Sequence, residues 1–259
     1  MTSKTPIHDA AQRGYASASD SYQRGRPDYP DAVVDWLRNS AGVREGTRVV
    51  DVGAGTGKFT QLLMRTGAAV TAVEPVDAMR ARLSASLPQA RAIAGTAESM
   101  PLPDGCADVL VCAQAFHWFS NGDALREMHR VLAPKGRLAM VWNVRDESRD
   151  WVAAITEIIT PYEGDAPRFH TGQWKMPFQN QALFSPPQLA AFPHSHRGGF
   201  DQVVMDRILS VSFIASLPDE QRDQVAADLR ALRARFAELR QPVIAFPYIT
   251  QAWLAARLG

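Results

Sequence analysis

Between Thr47 and Val144, short apolar runs alternate with segments whose apolar positions recur every third or fourth residue. The runs "TRVVDVG" (47–53), "AAVTAVEP" (68–75), "ARAIAG" (90–95), "ADVLVCAQA" (107–115) and "GRLAMVWNV" (136–144) read as strands. Between them Phe59, Leu62 and Leu63, then Met79, Leu83 and Leu87, then Leu125, Met128 and Leu132 mark the buried faces of three helices. Asn121 stands where it can cap the third. Strands and helices alternating at this spacing predict a parallel sheet covered on both faces. Such sheets bind ligands at the carboxyl ends of their strands, where the strand order reverses. Candidate chemistry should therefore lie just after residues 52, 74, 95, 115 and 143.

The alternation stops at Arg145. From there to about residue 196 the chain carries Trp151, Tyr162, Phe169, Trp174, Phe178 and Phe184, with prolines at 161, 167, 177, 186 and 187. Linkers seldom hold so many aromatics, so this stretch reads as an insert or lid. Further on, Val225, Leu229, Leu232, Phe236 and Leu239 predict another long helix, opened by a capping box at Ser216 to Asp219. "PVIAFPYIT" (242–250) predicts a last strand, with Pro247 at an edge or bulge. The expected division is an N-terminal cap segment, 1–40, and one domain, 41–259, holding the insert at about 145–196.

Composition narrows the partners. A chain of 259 residues, 46% hydrophobic, can bury one large core. Its net charge of +1, with no basic stripe, disfavours nucleic acid. Cys106 and Cys112 make no disulfide framework and fit a reducing compartment. No apolar run approaches the ~20 residues that cross a bilayer, and the first twenty residues hold no signal-peptide core. These features predict a soluble, cytoplasmic protein; a small-molecule partner is expected, and whether the chain is a monomer or homodimer is left open by the sequence.

"VVDVGAGTGKFT" (49–60) sets Gly53, Gly55 and Gly57 where a strand turns into a helix. Glycines let a ligand approach the backbone and helix N-terminus there. A P-loop is excluded, because Val52 and Phe59 occupy positions that need glycine and a hydroxyl. The dinucleotide fingerprint would put its third small residue at Lys58, and Asp51 would oppose a pyrophosphate. A ligand with an ammonium and a sulfonium but no phosphate removes that conflict. S-adenosylmethionine (SAM) is such a ligand, and Glu74, closing the second strand, is placed to accept both ribose hydroxyls.

With these residues, Tyr22, Arg26-Pro27, Tyr29-Pro30, "VEPVDAM" (73–79), "GTAESMPLPDG" (95–105), "QAFHWF" (114–119) and "RVLAPKGRLAMVWN" (130–143) complete a pattern. It resembles the class I SAM-dependent methyltransferases, and within them the methyltransferase type 11 group. The likeness runs from about residue 12 to 145 and is weaker beyond. It implies a doubly wound α/β Rossmann-like sheet of seven strands with the last antiparallel, plus the aromatic-rich insert. It places Gly53, Ala54 and Gly55 against the methionine portion of SAM, with Asp51 at its amino group and Glu74 on the ribose. Pro75 and Met79 would flank the adenine, with Ala97 and Glu98 along its polar edge. Gln114 would lie beside the methionyl group, and Tyr22 and Arg26 would close over the cofactor, Arg26 towards the methionine carboxylate. At Lys135 the chain departs from the glycine usual in the group.

His117 ends the fourth strand among three aromatics. A metal role lacks ligand spacing around it, so no metal is expected. Two readings stay open, a general base beside the transferred methyl and a hydrogen-bonded pocket wall. Trp118, Asn143 and Arg145 complete the expected acceptor pocket, and Arg145 and Arg149 are placed to receive an anion. The group includes methyltransferases of small carboxylic acids, so a carboxylate is the first acceptor to consider. The product cofactor would be S-adenosylhomocysteine. The rivals are an RNA or protein methyltransferase, an NAD-dependent oxidoreductase and a non-catalytic SAM-binding protein.

Overall fold

The structure, a computed structural model, describes residues 25–259. Seven strands form one sheet: β1 (Arg48–Val52), β2 (Ala69–Val73), β3 (Arg91–Ile93), β4 (Ala107–Ala113), β5 (Leu132–Arg145), β6 (Gln188–Gly198) and β7 (Ile244–Ala256). Their order is β3-β2-β1-β4-β5-β7-β6, with the last strand antiparallel. β1 pairs in parallel with β2 and β4, β2 with β3, and β4 with β5. The chain winds outward from β1 to β3 and then returns to β4 on the other side of β1. That reversal opens a crevice at the carboxyl ends of β1 and β4, the place where doubly wound sheets bind ligands.

Six longer helices accompany the sheet: α1 (Asp31–Trp36), α2 (Lys58–Met64), α3 (Asp77–Ser86), α4 (Gly122–Val131), α5 (Asp150–Ile159) and α6 (Asp219–Arg235). Asn121 caps α4 as expected, its Oδ1 accepting from the Ala124 N–H at 2.8 Å. The capping box expected at Ser216 does not form. α6 starts at Asp219 behind Pro218, and Ser216 Oγ donates instead to the Phe213 carbonyl at 3.1 Å. Asp219 and Glu220 in the first turn favour that helix end through its dipole.

β5 begins at Leu132, earlier than the apolar run suggested. Ala107 pairs with Leu132 and Val109 with Arg137, so the residues between are taken up as a bulge. In it Lys135 adopts φ 65°, the left-handed conformation that glycine takes most easily. β6 was not anticipated, because its sequence, "QLAAFPHSHRG", carries a proline and two histidines. β7 runs six residues past the expected end at 250, to Ala256.

The residues group into two compact units. One comprises Tyr29–Asn143, Pro167–Pro193 and Thr250–Gly259; the other takes Val144–Ala166, His194–Ile249 and the preceding segment through Asp28. Each has its own core. In the first, Val49, Val109, Val111, Ala139 and Val141 of the sheet pack with Leu37, Phe59 and Leu63. In the second, Trp151, Ile155, Val204, Leu229, Phe246 and Tyr248 are among the buried residues. Among the described residues no helix is long and apolar enough to cross a membrane.

Candidate active site

In the first unit, β1 delivers Asp51 to the carboxyl edge of the sheet, 1% exposed. Its Oδ2 accepts from Thr60 Oγ on α2 at 2.7 Å, while Oδ1 has no hydrogen-bond partner. Burial pushes its acid up to about 7, against the pull of Thr60 and with a smaller push from Glu74. A carboxylate oxygen left bare inside a protein is poised for a cation or a donor from a ligand.

The glycine turn follows at once. Gly53 has φ 71°, and a Cβ there would stand 2.9 Å from the Ala115 Cβ beyond β4. The two strand ends thus approach as closely as glycine allows. Gly57 has φ 89° and packs against α3, where a Cβ would meet Leu83 and Leu87 at 2.9 Å.

Glu74 sits just beyond β2, 5% exposed. Its Oε2 accepts from the Gly55 N–H at 2.8 Å and its Oε1 from the Val76 N–H at 2.9 Å. Burial raises its pKa, while those two backbone donors and Arg80 oppose the rise. Each oxygen keeps lone pairs for further donors, so the side chain both braces the turn and can receive a ligand diol. Next to it Pro75 is half-buried. Met79 is buried on α3 with its sulfur 3.9 Å from where a Gly55 Cβ would lie, so it is core and turn neighbour at once.

Ala97 is buried. Glu98 is tied down, its Oε1 accepting from Asn121 Nδ2 at 3.1 Å. Gln114, just past β4, holds φ 57° while its N–H donates to the Val141 carbonyl at 2.8 Å. A non-glycine residue in the left-handed region stores strain that clusters at ligand sites.

His117 lies in a single turn of 3₁₀ helix, Phe116–Trp118. Trp142 Nε1 donates to its Nδ1 at 3.1 Å. A nitrogen that accepts carries no proton, so in the neutral ring the proton is on Nε2. Trp142 is itself held by aromatics of 167–193, with ring centroids 4.6 Å to Phe169 and 4.8 Å to Trp174. Phe116 stacks towards Phe178 at 5.6 Å. Part of the aromatic stretch that read as a lid thus packs against the wall that carries His117. The His117 and Trp118 rings are 5.2 Å apart, and Asn143 Oδ1 accepts from Thr250 Oγ1 at 2.6 Å.

Asp51, Gly53, Ala54, Gly55, Glu74, Pro75, Met79, Ala97, Glu98, Gln114, His117, Trp118 and Asn143 therefore belong to one unit. Arg26 and Arg145 belong to the other. Tyr22 lies outside the described residues. Thr60 and Trp142 were missed in the sequence, since only the fold reveals the partners they orient.

The family described as "Methyltransferase domain" matches residues 50–140, from β1 into β5. An uncharacterised methyltransferase of Mycobacterium tuberculosis is 37% identical over 240 residues, 91% of this chain and 92% of that protein. The chain therefore belongs to the methyltransferases of the class I type. The malonyl-[acyl-carrier protein] O-methyltransferase of Dechloromonas aromatica is 29% identical over 146 residues, 54% of this chain and 55% of that one. In fold, the chain is similar to a Haemonchus contortus phosphoethanolamine N-methyltransferase solved with phosphomonomethylethanolamine and S-adenosylhomocysteine. The TM-score is 0.57 at 11% identity, over 99% of this chain and 61% of the other.

Proposed function

We propose that this methyltransferase uses SAM to methylate a small carboxylic acid on oxygen. The observation that carries the reading is the bare Asp51 Oδ1 beside a glycine turn that Glu74 braces. Asp51 would take the ligand's ammonium and Glu74 its ribose hydroxyls. Phosphate fits poorly between two buried acids, which disfavours NAD. When bound, SAM supplies a methyl group on a sulfonium, already activated for in-line displacement.

The chain's own task is then to align and to exclude water. His117 fits that task as a donor. Its Nδ1 is engaged by Trp142 and its Nε2 carries the proton, so it is built to give a hydrogen bond to the acceptor and not to take a proton from it. A carboxylate acceptor needs no base, in keeping with that tautomer. The Dechloromonas relative is named for O-methylation of a malonyl group, whose free oxygen is a carboxylate oxygen.

Calorimetric titration with S-adenosylhomocysteine, with NADH as control, tests the cofactor. Binding of the former alone supports SAM; preference for NADH overturns it. A screen of small carboxylic acids with SAM follows, and turnover of phenols, amines or thiols in place of acids would overturn the acceptor. SAM binding without transfer to any acceptor would leave a SAM-binding protein.

A further inference from the structure

A single helix residue holds the buried acid of the first unit. Thr60 is the third residue of α2 and is wholly buried. Its hydroxyl donates to Asp51 Oδ2 at 2.7 Å and makes no other hydrogen bond among the described residues. A helical threonine commonly bonds back to the carbonyl one turn earlier; this one reaches across to β1 instead. Phe59, Leu62 and Leu63 of the same helix pack into the core formed with the sheet, so a rigid element carries the hydroxyl.

This bond makes the two carboxylate oxygens unequal. Oδ2 is engaged, while Oδ1 is buried and bare. A buried acid kept for structure alone has its oxygens met, because an unmet one costs the fold. The hydroxyl also decides where a proton can go. On Oδ2 it would compete with the Thr60 donor; on Oδ1 it leaves that bond intact. The atom that takes the proton is therefore the atom left for a cationic ligand, and the two exclude each other.

We propose that Thr60 is a positioning residue of the cofactor site, holding Asp51 by one oxygen so that the other takes either a proton or the cofactor's ammonium. The ammonium rests on the proposed function above; the hold of Thr60 on the carboxylate does not. Cofactor binding below neutral pH then releases a proton. The O–H bond at Oδ1 breaks, the proton leaves to solvent, and the ammonium pairs with the carboxylate. The surroundings of Asp51 bear on this balance. Burial raises its acid, the Thr60 bond lowers it, and Glu74, beyond β2, raises it again. Arg80 on α3 acts in turn on Glu74. On β4 the Cys112 thiol is held protonated by burial and by Asp51, and Lys58 opens α2.

The test is calorimetric titration of the full chain with S-adenosylhomocysteine from pH 6 to 8, in buffers of different ionisation enthalpy. Wild type should release about one proton per ligand at pH 6 and about a tenth of one at pH 8. Thr60→Val keeps the shape and removes the donor. It should bind about tenfold more weakly at pH 6, yet within about twofold of wild type at pH 8. Thr60→Ser should recover the wild-type profile, and Thr60→Ala is a second deletion that should match the valine. Without ligand, the Asp51 carboxyl carbon read by NMR should titrate about one pH unit higher in Thr60→Val. The inference falls if wild type binds without releasing a proton at pH 6, or if Thr60→Val binds as wild type throughout. A loss equal at every pH, or one that serine does not recover, marks a merely structural threonine and also overturns it. Failure of S-adenosylhomocysteine to bind wild type, with the Asp51 titration still moved by Thr60→Val, would count against the cofactor reading alone.

Discussion

Asp51 ties cofactor affinity to pH in a direction that can be worked out. Its folded-state acid, at about 7, lies above that of an exposed aspartate, so the folded protein holds a proton that the unfolded chain releases. Stability of the ligand-free protein from this group is fully present below about pH 4 and is lost as pH rises through about 7. Binding of an ammonium ligand runs the other way, since it needs the ionised carboxylate. S-adenosylhomocysteine affinity should fall by up to about tenfold per pH unit below 7 and level off above it, with Asp51→Asn flattening the profile and weakening binding. Calorimetry across pH 5.5 to 8 would show it. For His117, removal as His117→Ala should spare S-adenosylhomocysteine affinity and lower turnover of an acid about tenfold, the worth of one donor. Trp142→Phe removes the hydrogen bond to Nδ1 that orients the ring, and should lower turnover while leaving S-adenosylhomocysteine affinity unchanged. Asp51 and Glu74 were legible because each follows an apolar run at the expected offset. Thr60 and Trp142 were not, because the side chains they orient, Asp51 and His117, reach them only through the fold.

Elements hold these residues in place through a few local devices. Asn121 caps α4 and also bonds Glu98, so it joins the helix to the turn after β3. Asn121→Ala should lower stability by about 1 kcal/mol, read by denaturant midpoint. At Lys135 the left-handed backbone costs an L-residue roughly 1 kcal/mol. Lys135→Gly should recover part of that and leave turnover unchanged, since the bulge lies at the far end of β5 from His117's partner Trp142. The central strands and α2 to α4 could be read from periodicity, because burial on one face writes itself into spacing. β6 could not, because strand propensity says little where Pro193, His194 and His196 break the pattern.

For the molecule as a whole, ligand binding should appear as stability. S-adenosylhomocysteine at a hundredfold excess over its dissociation constant adds about 2.7 kcal/mol, or a midpoint rise of roughly 5–10 °C for a chain of this size. No rise at saturating ligand would contradict the cofactor site. The sheet class was visible at this scale, as was the absence of a charge excess. The division into two units was not, because β5, β6 and β7 each pass from one into the other. That interleaving has a consequence for biosynthesis. Val144–Ala166 leaves the ribosome well before His194–Ile249, the segment it packs with. At roughly 5–20 residues per second, its apolar helix face around Trp151 and Ile155 waits several seconds for its core. The nascent chain is therefore most open to chaperones and to aggregation in that interval, and a translational pause placed after residue 166 should lower the soluble yield more than one placed after residue 249.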